Sequence, residues 1–142
     1  MDKVIMLKDI FHVWGGRVTE VMTLSYTYVE DRGLLQGIID PLEITLYFFE
    51  ESKDDVLKAA AKTAAKYDAF RYAAIMTDED GSQTALARGV DEGAAARYAA
   101  FATLCDTGVA INPDELAEKL RYEQDGVVWS VLPYKFEYRS LL

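Results

Sequence analysis

Cysteine and histidine are nearly missing from this chain, with one of each among 142 residues. One cysteine excludes an intramolecular disulfide framework, and one His with one Cys leaves almost no soft-ligand metal chemistry. Long apolar runs are also absent. The longest, over residues 94–105, contains Arg97 and falls short of the roughly 18 to 20 apolar residues a membrane helix needs. The opening Met-Asp-Lys-Val-Ile-Met-Leu-Lys-Asp is broken by charge too soon for the apolar region of a signal peptide. The expectation is therefore a cytoplasmic protein with no membrane segment.

Positive charge is in short supply as well. There are 24 Asp and Glu against 15 Lys and Arg, for a net charge of -9. Such a balance repels a phosphate backbone, which argues against direct nucleic-acid binding and favours a basic protein partner. The acidity is uneven: residues 72–126 hold 11 acids against 4 bases. What the chain does have is a 51% apolar composition and a mean hydropathy of -0.04, enough for one ordinary core in a single domain over residues 1–142.

The first half reads as strands. Lys3 to Trp14 and Arg17 to Val29 flank Gly15-Gly16, a pair suited to a tight hairpin turn. In the second of these, Val18, Met22, Leu24, Tyr26 and Tyr28 alternate onto one face. A short third strand is expected at 34–39 and a fourth at 42–50, with Asp40-Pro41 between them. Ser52 and Asp55 resemble a capping box, so a helix is expected from near Lys53. Its apolar side carries Val56, Leu57, Ala60, Ala61, Ala64 and Tyr67, and Lys58, Lys62 and Lys66 line the other side.

Residues 71–76 and 83–88 read as a hairpin around Thr77-Asp78-Glu79-Asp80-Gly81-Ser82. Asp91 can cap a second helix over 92–105 that ends before Gly108. That helix is apolar nearly all round, so it is expected either at the centre of the fold or in a subunit interface, with Tyr98 and Phe101 as self-association candidates. Asn112-Pro113-Asp114-Glu115 starts a third helix, expected to run to about Glu123 and to stop at Asp125-Gly126. Two last strands are expected on either side of Pro133. The order ββββ-α-ββ-α-α-ββ implies an α+β domain, a mainly antiparallel sheet with two to three helices on one face. Residues 64–70 and 95–101 also echo each other, matching at five of seven positions. This reads as convergence of two Ala-rich helices, because repeat architectures need more units than two.

No catalytic constellation stands out. His12 lies in a strand with no nucleophile placed beside it, and Cys105 on the apolar helix reads as a buried thiol whose neighbour Asp106 would raise its pKa. Asp78-Glu79-Asp80-Gly81-Ser82 lacks the EF-hand positions, with Gln83 where glycine and Gly89 where glutamate would be required. Gly15-Gly16 lacks the Lys-Ser/Thr of a phosphate loop, and Gly89 with Gly93 makes no dinucleotide fingerprint. Neither a metal nor a cofactor is expected. A working carboxylate pair cannot be picked out of 24 acids.

The expected function is a non-catalytic interaction module: a small acidic accessory, immunity-type or inhibitor protein, of the kind a phage or other mobile element uses against a nucleic-acid-handling machine. Asp78, Glu79 and Asp80, with the strand tyrosines Tyr26, Tyr28 and Tyr47, are the partner-binding candidates. A homodimer is expected from exposed sheet edges and the apolar helix. Two alternatives are a small-molecule or nucleotide-binding protein with a pocket lined by Tyr and by Arg71 or Arg88, and a structural subunit of a larger assembly.

Overall fold

The computed structural model describes the backbone of residues 2–29, 44–48 and 53–142, and the side chains of residues 5–26 and 53–142. The elements, in order, are β1 (Asp2–Trp14), β2 (Arg17–Val29), β3 (Ile44–Phe48), α1 (Lys53–Tyr67), β4 (Tyr72–Thr77), β5 (Gln83–Gly89), α2 (Glu92–Thr107), α3 (Pro113–Lys119), β6 (Arg121–Gln124) and β7 (Val127–Ser140). The α+β class expected from the sequence fits, and every strand pairing whose register is resolved is antiparallel. The strand expected at 34–39 lies outside the described residues. No helix among the described residues is long and apolar enough to cross a membrane.

The chain divides into two compact units. The first comprises Met1–His12, Glu20–Asp68 and Phe136–Leu142, and the second comprises Val13–Thr19 and Ala69–Lys135. In the first, the strands follow the order β3-β1-β2, with the end of β7 next to β2. The Leu141 amide donates to the Leu24 carbonyl there at 2.8 Å. Ile5, Leu7, Met22 and Leu24 meet Val56 and Ala60 of α1. Apart from Ala61, which is exposed, this is the apolar side the 3.6-residue spacing predicts, and Lys58, Lys62 and Lys66 face solvent. Tyr67 closes one side by stacking on Phe136, ring centroids 5.4 Å apart.

In the second unit β7 is flanked by β4, with β5 beyond it, and by β6. The core is Ala74, Ala95, Ala96, Ala99, Ile111, Leu116, Trp129 and Val131. Small residues let α2 lie close to the sheet: a Cβ on Gly89 of β5 would sit 2.4 Å from the Ala95 backbone nitrogen. Asp91 caps α2 by accepting from the Ala94 amide at 2.7 Å. Gly108 closes it in the left-handed conformation, donating to the Leu104 carbonyl. Where β4 meets β5 the register slips between Ala74 and Ile75, leaving Leu86 as an extra residue packed against the core.

Two sequence expectations are corrected here. The third helix stops at Lys119 rather than Glu123, because Leu120 turns left-handed (φ 59°) and its carbonyl accepts from the Val131 amide at 3.0 Å. Arg121–Gln124 then pairs with β7 as a strand, and Asp125-Gly126, both at positive φ, is the two-residue turn of that hairpin rather than a helix stop. Pro133 does not split the last strand. The ladder to β6 ends at Val131, two residues earlier, so no β6 carbonyl awaits the donor that proline lacks.

Candidate functional site

Five of the eleven acids of the second unit lie at one end of its sheet. The β4–β5 turn is closed by the Asp78 amide donating to the Ser82 carbonyl and the Gly81 amide donating to the Asp78 carbonyl, both at 2.9 Å. Asp80 Oδ1 accepts from the Ser82 hydroxyl at 2.7 Å and from the Ser82 amide at 2.9 Å. Those donors, the hydroxyl foremost, hold the Asp80 carboxyl below its ordinary value. Asp78 is half-buried, and Glu79 and Asp80 are exposed.

Strand register brings a second acidic turn alongside. Thr77 is opposite Val128, and Gln124 is opposite Val127, so the β4–β5 and β6–β7 turns leave the sheet at the same end. The Glu79 side chain lies on the second turn: a Cβ on Gly126 would come within 2.5 Å of Glu79 Oε1 and 2.8 Å of its Cγ. Asp78, Glu79, Asp80, Glu123 and Asp125 therefore form one acidic surface. Arg121 is tied to Glu123 at 3.3 Å in an exposed ion pair. Among the described residues no group of three or more His, Cys, Asp and Glu is arranged to hold a metal ion.

Behind this surface the sheet is firmly braced. The Trp129 indole N–H donates to the buried Thr103 hydroxyl at 3.1 Å, and that hydroxyl donates to the Ala99 carbonyl at 2.8 Å. Tyr122 packs at 5.7 Å from the Trp129 ring, and its hydroxyl donates to Gln124. A two-point anchor of this kind fixes α2 over the acidic end of the sheet. At the opposite end, Tyr72 donates to Glu92 in the first turn of α2, a contact that raises the phenol pKa. Arg88 of β5, opposite Ala73, lies at that end too, as does Arg71 just before β4.

The other sequence candidates are scattered. Tyr26 is half-buried against the core of the first unit, with the Lys53 ammonium 5.8 Å from its ring centre. The side chains of Tyr28 and Tyr47 lie outside the described residues. Tyr98 and Phe101 stand out from α2, 60% and 67% exposed. Cys105 is exposed rather than buried, because α2 turns its small residues to the sheet and Cys105 lies one turn beyond Phe101 on the far side. The two segments that echo each other also occupy different settings: Tyr67 is stacked in a core, and its counterpart Tyr98 faces water.

Two carboxylates escaped the sequence reading. Asp9 and Glu20 are buried on the apolar face of β1 and β2, and both take part in polar or electrostatic contacts. Alternation alone places Glu20 between Val18 and Met22 on the inward face. The acidic members of the β6–β7 turn were legible in principle from Asp125-Gly126 flanked by alternating residues. No protein-family model, curated protein or solved structure matches this chain.

Proposed function

We propose that the chain is a non-catalytic interaction module that engages a basic protein partner through the acidic end of its second unit. The observation that carries this reading is the seating of Glu79 on Gly126, which joins two acidic turns into one surface. Five carboxylates held by paired strands present a field organised before the partner arrives. Such a field steers association with a positively charged surface and fixes its orientation. In its more specific form, the surface offers carboxylates where a nucleic-acid-handling protein expects phosphates, which is how a small acidic inhibitor would act.

The test is affinity capture from the native host with the intact chain and with the triple reversal Asp78→Lys, Glu79→Lys, Asp80→Lys. The expected result is a basic protein retained by the native chain, released as salt rises and lost with the reversal. Competition by duplex DNA for that protein is expected in the inhibitor case. A captured partner that is indifferent to both salt and the reversal would overturn the proposal.

A further inference from the structure

The outward face of α2 is apolar. Arg97, Tyr98, Phe101, Leu104 and Cys105 share it, all exposed, and Leu104 is 50% exposed. On the inward side Ala95, Ala96, Ala99 and Thr103 already hold the helix to its own sheet, and the outward residues take no part in that packing. Large contiguous exposed apolar side chains of this kind mark an interaction surface. We propose that this face pairs with the same face of a second copy of the chain, the two α2 helices running antiparallel about a two-fold axis at Phe101.

Charge complementarity favours a second copy. Arg97 is the one charge on the outward face, so no two acids meet there despite the net charge of -9. The last turn of α2 contains Asp106 and no base, and a helix C-terminus attracts cations. An antiparallel mate supplies the missing cation. Arg97 and Cys105 lie four residues to either side of Phe101, so the two-fold sets Arg97 of one copy beside Cys105 of the other, at the negative end of that helix. Tyr98 of each copy meets Leu104 of the other, and the Phe101 rings meet at the axis. An isologous contact requires this self-complementarity. The inference is independent of the basic-partner reading, which uses the turns at the sheet end.

The test uses the full chain. Sedimentation equilibrium at tens of micromolar is expected to show a reversible dimer, with Phe101→Glu raising its dissociation constant at least about tenfold and Arg97→Glu raising it less. All these positions are exposed, and an unchanged circular dichroism spectrum confirms folding. For register, Arg97→Cys places a second thiol on the face. Within one helix it is eight residues, about 12 Å, from Cys105, beyond the roughly 7 Å limit for bridging. Mild oxidation is therefore expected to give a covalent dimer, which is lost when Cys105→Ser is added. A monomeric native chain, or a dimer indifferent to Phe101→Glu, would refute the pairing. A dimer in which Arg97→Cys does not bond to Cys105 would refute the antiparallel arrangement.

Discussion

Two acids of the first unit and five of the second are placed in opposite settings. In the first, Asp9 and Glu20 are turned into the apolar face of a hairpin, beside Leu7, Met22 and Leu24. In the second, the core cluster is made of alanines, aliphatics and one tryptophan, and Asp78, Glu79, Asp80 and Asp125 lie on turns at the sheet end, with Glu123 on the adjoining strand β6. A carboxylate inside a core is costly unless hydrogen-bonded or paired, whereas one on a turn costs little and projects its field outward. Net charge therefore says less about the surface than its placement does. Asp9 and Glu20 lie in the interior of the first unit, whereas Glu79, Asp80, Glu123 and Asp125 of the second are exposed.

The same substitution in each unit separates these settings most sharply. Glu20→Lys places an ammonium at a fully buried position and is expected to destabilise the chain by about 3–5 kcal/mol, read from urea unfolding. Glu79→Lys reverses an exposed charge on a turn, and its effect on stability is expected to stay within about 0.5 kcal/mol while partner binding falls. Equal stability losses at the two positions would erase the distinction.

Between those extremes lies the brace of the second unit. Thr103→Val keeps the shape of the side chain and removes the hydroxyl, so the Trp129 indole N–H is left buried without its acceptor. A loss of about 1–3 kcal/mol is expected. Ultraviolet resonance Raman bands sensitive to indole hydrogen bonding should shift in the same variant.

Legibility followed the strength of local signals. Gly15-Gly16, Asp91 with Gly108, and Asn112-Pro113 each announce an element boundary through backbone chemistry, and the structure has turns or caps at all three. Tertiary pairing decided the places that were misread. Arg121–Gln124 continues a helical composition, yet β7 offers it a free edge, and Leu120 accepts a left-handed backbone to reach it. Helix α2 was legible as apolar all round, but its sequence could not say which side meets the sheet. The alanines win that side because they allow close approach, leaving Tyr98, Phe101 and Cys105 outside. The acidic site was half legible: Asp78, Glu79 and Asp80 stand out as a run, and Glu123 and Asp125 join them only through strand register.

The smallest expected effect concerns how firmly the acidic turn is held. The Ser82 hydroxyl and amide lower the Asp80 pKa from its ordinary 3.8. A carboxyl depressed on folding contributes stability that is present above its unfolded value and is lost as pH falls through its folded value. The turn is therefore expected to loosen only below about pH 4, the ordinary carboxylate range. Ser82→Ala removes the larger cause and leaves the Ser82-position amide, so the Asp80 carboxyl should titrate closer to its ordinary value. Carbon-detected NMR titration of Asp80 in both chains reads this directly. An unchanged titration would mean that the hydroxyl does not organise the turn, and Glu79 on Gly126 would then be the contact that orders the acidic end.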